Sequence, residues 1–258
     1  NTIAEDPDFD FMLYGDTPVD PLQWDVSMYL TLNGAVHDAA IAAWELKRES
    51  ESARPIALIR YKASLGQSSD PNLPNYHPDG LPLIPGVIEL VTEGSSLPGE
   101  RHQHLRHFQD SVVIWTWRGE PGDDDTEIGG HGWVRGVEWM PYQRRTFVSP
   151  AFPGYVSGHS TFSRAAATAL TELTDSPYFP GGLGTFTARQ NDYLVFEQGP
   201  SETVQLQWAT YADAADQAGQ SRLWGGIHIT PDDFDGRIIG ETVGLLAVEE
   251  ARSHIQPE

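Results

Sequence analysis

The chain has 258 residues, 37 of them acidic against 16 Lys and Arg, for a formal net charge of -21, and it has no cysteine. That charge opposes nucleic acid and anionic membrane surfaces as partners, and the missing thiols exclude disulfides, thiolate metal sites and a cysteine nucleophile. No run is long and apolar enough to span a membrane.

The length is ample for one real core. Only 3 methionines accompany the absent cysteines. A chain so poor in oxidisable sulfur suits an enzyme that makes an oxidant, although chance gives the same composition. An acidic surface is compatible with a secreted or periplasmic setting, and a start at Asn1 rather than Met leaves the native N-terminus open.

Residues 1–22 are acidic and proline-punctuated and read as an arm or loop. From Leu22 to Lys47, apolar residues recur near every 3.6 positions (Trp24, Met28, Leu32, Val36, Ala43), which predicts a helix. Asn33, His37 and Asp38 interrupt the pattern and are expected to meet polar partners on neighbouring helices. Pro55 bars helical geometry at Arg54, so the helix ends between Lys47 and Arg54. Those two cations are either part of a solvated, mixed-charge helix end or turned inward. Residues 56–63 suit a short helix.

Residues 64–100 are dense in Gly, Pro, Ser and Asn and read as a long functional loop, anchored by the apolar piece 85–91. Arg101–His107 carries three histidines whose spacing would allow a metal site, but no carboxylate joins them in the helical pattern, so a surface is favoured. Val112–Trp117 reads as a strand. Asp123, Asp124 and Asp125 form either a solvated turn or a weak calcium site. Residues 130–141 are extended.

Residues 152–160 read Phe-Pro-Gly-Tyr-Val-Ser-Gly-His-Ser, followed by an alanine-rich helix over 158–174 with Ser157 or Ser160 as N-cap. A helix start with Gly158 leaves backbone N–H groups free for an oxyanion, and His159 adds a proton carrier. Alternatively this is an ordinary capped helix with a surface histidine. Residues 185–187 and 193–196 suit a hairpin, 203–220 a second strong helix, and Pro231 opens a last helix through Ile255. The class is therefore mainly α: a bundle of helices 22–47, 158–174, 203–222 and 233–254, with long loops, room for one small β-hairpin and an oxyanion pocket between helix ends.

Three separate points share one chemistry. Lys47 and Arg54, Ser157-Gly158-His159, and Arg222 with His228 together supply cations, a hydroxyl, free N–H groups and two imidazoles. Their spacing, Lys-x6-Arg-Pro, then Ser-Gly-His, then Ser-Arg-x5-His-x3-Asp ending at Asp232, resembles the three-part signature of the vanadium-dependent haloperoxidases. The signature is shared with type 2 phosphatidic acid phosphatases and soluble bacterial acid phosphatases. The match spans residues 44–232.

The resemblance implies that vanadate is the cofactor, bonded by His228, with Lys47, Arg54 and Arg222 neutralising its oxygens. Ser157 and the Gly158 N–H resemble the donors beside them. His159 resembles the acid/base at the axial oxygen, and Asp232 the carboxylate that orients the ligating histidine. Trp44 and Phe152 resemble positions flanking the halide site, Phe152 being closer to the chloroperoxidase type. Hydrogen peroxide and halide would be the substrates, with an organic acceptor left unspecified.

The alternatives are a phosphomonoesterase using a phosphohistidine, and a catalytically silent oxyanion-binding module. Val156 stands where the family has proline. The chain is also short for the family, so residues 1–258, read as one haloperoxidase-like domain, would belong to a longer chain or a homo-oligomer.

Overall fold

The computed structural model describes residues 9–147 and 149–255. Five helices dominate it: α1 (Pro21–Ser50), α2 (Pro55–Leu65), α3 (Gly158–Thr174), α4 (Tyr211–Trp224) and α5 (Thr230–Ile255). The seven strands are short: β1 (Met12–Leu13), β2 (Thr17–Pro18), β3 (Ile88–Leu90), β4 (Val112–Trp117), β5 (His131–Arg135), β6 (Gly184–Ala188) and β7 (Val204–Trp208). They form three small antiparallel sheets, β1–β2, β3–β4–β5 and β6–β7. The mainly helical expectation holds, with more strand than the one hairpin allowed for.

Helix α1 starts where Pro21 fits the first turn and the Asp20 carboxylate accepts from the Gln23 N–H at 2.8 Å. Its buried stripe runs Trp24, Met28, Thr31, Ala35, Ala39, Ala43 and Lys47. Asn33, His37 and Asp38 are exposed, which corrects the expectation that neighbouring helices bind them. The reason is the narrowness of the seam. Small residues let helices approach closely, so the larger side chains Leu30 and Ile41 stand on the open face.

Helix α3 is central and packs on α1, α4 and α5. Ala165 and Ala169 meet Ala35 and Ala39 of α1 and Ala247 and Val248 of α5. On α5, Gly236, Gly240 and Gly244 recur every four residues along the face against α3. A Cβ at Gly240 would lie 2.3 Å from the Thr161 carbonyl oxygen, and one at Gly244 2.9 Å from that of Ala165. This close approach brings the start of α5 against the start of α3, and the site is built there.

Two expectations around α4 are corrected. Residues 204–208 are strand β7, not helix, and β6 pairs with β7 rather than with 193–196, in the register Phe186↔Leu206. Val204, Leu206 and Trp208 alternate with Gln205 and Gln207, a period of two rather than 3.6. The helix starts only at Tyr211, after a capping box in which Thr210 and Asp213 exchange side-chain and backbone bonds.

The 64–100 stretch is more ordered than expected. Its β3 pairs with β4, so the apolar piece does anchor it. Gln67 is fully buried, and its amide bonds the backbone of Ser69 and Asp70. The histidine segment needs correcting too. His104 and His107 are exposed, but His102 is fully buried, with Nδ1 2.9 Å from Ser95 Oγ and its ring edge-on to Trp133. No described helix is long and apolar enough to cross a membrane. Asp123, Asp124 and Asp125 cluster on an exposed turn.

Candidate active site at the helix termini

Lys47, Arg54, Ser157, Gly158, Asp232 and His228 are all buried, although they come from three separate parts of the chain. The α1–α2 junction supplies Lys47 and Arg54. The start of α3 supplies Ser157, Gly158 and His159. The end of α4 supplies Arg222, and the turn into α5 supplies His228 and Asp232.

Arg54 Nη1 lies 2.9 Å from His228 Nε2. A guanidinium can only donate, so Nε2 carries a lone pair. The proton is then on Nδ1, which donates to Asp232 Oδ2 at 2.8 Å. The Ile229 N–H reaches the same oxygen at 3.3 Å. Burial, opposed by Asp232 and reinforced by the Arg54 and Lys47 charges, holds the His228 imidazole below its ordinary value. The site therefore presents a neutral histidine with its Nε2 lone pair among cations.

Lys47 Nζ donates to the carbonyls of Pro153, Gly154 and Val156. Arg54 also bonds the carbonyls of Phe152, Pro153 and Ile227. These two cations thus fold inward rather than forming a solvated helix end. Their donors fasten the 152–156 segment that leads into α3, and their charges remain beside His228. Burial and the neighbouring Arg54 push the Lys47 ammonium down to about 8. Ser52, which sequence reasoning passed over, accepts the Tyr155 N–H at 2.7 Å on its side chain and the Gly154 N–H on its carbonyl.

Ser157 is the N-cap of α3, accepting from the Ser160 N–H, and its own N–H donates to the Asp232 carbonyl at 2.8 Å. The two helix starts are thereby tied together. The Gly158 and His159 N–H groups lie in the first turn, where no acceptor exists within the helix. A Cβ at Gly158 would sit 3.2 Å from the Phe162 ring and 3.5 Å from Trp44, so a side chain there would crowd the cradle. Ser160 Oγ donates to Asp233, a fully buried carboxylate neutralised by Arg237. That support was also missed, although Asp233 and Arg237 stand one helical turn apart.

His159 stands at the exposed mouth. Desolvation, with repulsion from Arg222 and His228, pushes its imidazole down to about 4. Arg222 Nε is a buried donor with no partner among the described residues. Trp44 and Phe152 meet at 5.3 Å between ring centroids, both partly exposed, with Lys47 Nζ 5.5 Å from the Phe152 ring.

An orphaned guanidinium N–H, free first-turn amides and two further cations around a histidine lone pair fit a tetrahedral oxyanion such as vanadate. The basic side chains would offset its charge, and Nε2 would be its ligand atom.

The family model for the VCPO second helical-bundle domain matches residues 27–70 and 102–257. Among solved structures, the chain is similar to a bacterial vanadium-dependent chloroperoxidase. To the holo form the TM-score is 0.61 at 20% identity, over 91% of this chain and 36% of that one. To the apo form the TM-score is 0.63 at 20% identity, over 90% and 37%. At that identity the likeness speaks for the fold, and this chain spans little more than a third of the length of those structures. No curated protein matches the chain. With its helical bundle, its clustered cations and histidines and the family match over most of its length, the chain belongs to the vanadium-dependent haloperoxidase family, through the second helical-bundle domain.

Proposed function

We propose that this chain carries the oxyanion site of a vanadate-dependent haloperoxidase, which oxidises halide with hydrogen peroxide. The balance is peroxide, halide and one proton giving hypohalous acid and water. The observation that carries the reading is His228, whose Nε2 lone pair is presented among cations by the Asp232 hydrogen bond. When bound, vanadate would supply a Lewis-acidic centre that activates peroxide for two-electron attack by halide.

The chain's own groups have separate tasks. His228 Nε2 holds the oxyanion, and Asp232 fixes the ring and its tautomer. Arg222 Nε–H and the Gly158 N–H donate to its oxygens, while Ser157 caps the helix that presents that N–H. Lys47 and Arg54 contribute charge at short range from within a buried site, where it is screened little. His159, kept neutral, takes the proton from incoming peroxide. Trp44 and Phe152 form the apolar wall assigned to halide, which binds with less desolvation cost than a strongly hydrated anion.

The direct test is orthovanadate binding to the His228→Ala variant. The proposal expects binding to be lost while the circular dichroism spectrum is kept. Tight binding retained by the folded variant would overturn it.

The same lone pair favours one second reading, a phosphomonoesterase in which His228 attacks phosphorus and His159 protonates the leaving alcohol. A phosphohistidine trapped at His228 distinguishes it.

A further inference from the structure

Away from the helix termini, a cleft of about 500 Å³ opens between the β4–β5 sheet and the turn after α4. Trp115, Trp117, Trp139, Tyr142 and Trp224 line it, with Glu197 among them. We propose that this cleft binds a small organic cation, an alkylammonium or quaternary ammonium group, between the indole faces and the Glu197 carboxylate.

Glu197 is 6% exposed. Its Oε2 accepts from the Trp117 indole N–H at 3.1 Å and the Gly129 N–H at 2.9 Å, and its Oε1 accepts from the Tyr142 hydroxyl. All three donors are neutral. Burial and the adjacent carboxylate push the Tyr142 phenol far above its ordinary value, so it donates without ionising. No Lys, Arg or His among the described residues comes within ion-pair distance of Glu197. Arg118, which borders the same loop, gives its Nε–H to the Gly129 carbonyl. A buried carboxylate is ordinarily paired with a cation. This one keeps its hydrogen bonds and lacks the countercharge.

The surroundings supply what a cation without N–H donors needs. Indole and phenol faces attract cations through the ring quadrupole, tryptophan most strongly. The wall is rigid: Trp117, Tyr142 and Phe196 pack edge-to-face, with Trp117–Tyr142 and Tyr142–Phe196 centroids both 5.0 Å apart. At the rim, Trp115 and Trp224 are 47% and 66% exposed, large aromatics with open faces. The net charge of -21 adds long-range attraction for cations.

The cleft is also joined to the site of the helix termini. The Tyr142 N–H donates to the Gly225 carbonyl at 3.0 Å, and the Trp139 ring packs where a Cβ of Gly226 would be, 2.9 Å away. Arg222 and His228 flank those two glycines in sequence. A bound cation would thus lie along the same turn, and the inference does not depend on vanadate or on peroxide chemistry.

The test is isothermal titration with choline and with 3,3-dimethylbutan-1-ol, its uncharged isostere, at about pH 8 in about 0.15 M salt, which screens the diffuse charge of the protein. Choline should bind about tenfold or more tighter than the alcohol. Trp224→Ala, at an exposed position that leaves the fold intact, should weaken choline about fivefold or more. Glu197→Gln should abolish the preference for the charged ligand. Equal binding of the two ligands, no binding of either, or choline affinity unchanged in Trp224→Ala would each overturn the inference. If Glu197→Gln fails to fold, Trp115→Ala replaces it with the same expectation as Trp224→Ala.

Discussion

His228 is held from both sides by residues of opposite charge: Asp232 Oδ2 lies 2.8 Å from its Nδ1, and Arg54 Nη1 lies 2.9 Å from its Nε2. The carboxylate fixes where the proton is, and the guanidinium marks where it is not. Asp232→Asn should release the tautomer and weaken orthovanadate binding by about 10- to 100-fold. Nitrogen-15 shifts of the ring should then report a mixture of tautomers. A variant that keeps the Nδ1–H form and full affinity would show that Asp232 is only packing.

Arg222 makes the contrasting prediction. Its Nε has no partner among the described residues, and its charge disfavours that of Arg54. Arg222→Ala should therefore leave the melting temperature unchanged or slightly raised. Phosphate and vanadate binding should both fall by about tenfold or more, since a charge-assisted donor is lost. A large drop in melting temperature with unchanged anion affinity would assign Arg222 to the fold instead.

The pH dependence follows from the direction of the His159 shift. Its folded value is pushed down to about 4, below the roughly 6.5 of a free imidazole. Between those values the unfolded chain binds more protons, so stability rises with pH across this window and is lost as pH falls through it. His228 is shifted the same way. Denaturation midpoints of wild type and His159→Gln, taken from about pH 4 to about 7, should therefore separate progressively toward the acid end, where the wild type loses stability that the uncharged variant keeps. A difference between the two that stays flat with pH would contradict the assignment.

Gly240 tests the seam that aligns the two helix starts. A Cβ there would lie 2.3 Å from the Thr161 carbonyl oxygen. Gly240→Ala should cost about 1–3 kcal/mol. Gly34, within α1, has nothing within 4 Å of the same position. Gly34→Ala should stabilise by about 0.5–1 kcal/mol through helix propensity. Urea unfolding of the pair gives both signs. Equal effects would mean that the α3–α5 contact is looser than described.

The parts of the fold legible in the sequence are those set by local rules. Pro55 ends α1 where expected, Ser157 caps α3, and Pro231 opens α5. The contact of His228 with Asp232 is expected only from the family resemblance, because His228 lies in the turn before α5 and not on the helix. The contact between Arg54 and His228 joins residues 174 apart, and no periodicity announces it. The inward turn of Lys47 and Arg54 is likewise not written in the local sequence, since it depends on carbonyls of the 152–156 segment that receive them. An apolar residue at every second position also satisfies part of a helical pattern, which is why residues 203–208 read as helix in the sequence. The Gly-x3-Gly-x3-Gly stripe of α5 and the Thr210–Asp213 capping box are local signals that the sequence does carry. Glu197 had no signal, since a lone acid in a loop looks solvated until the fold closes over it.

The measurement that bears most directly on the central claim is halide oxidation by the purified protein, with bromide, hydrogen peroxide and a brominatable dye, with and without orthovanadate. A p-nitrophenyl phosphate assay would run beside it. The account predicts dye bromination that requires orthovanadate and is lost in His228→Ala, with little phosphatase turnover. Phosphatase activity that orthovanadate abolishes, with no bromination, would contradict it.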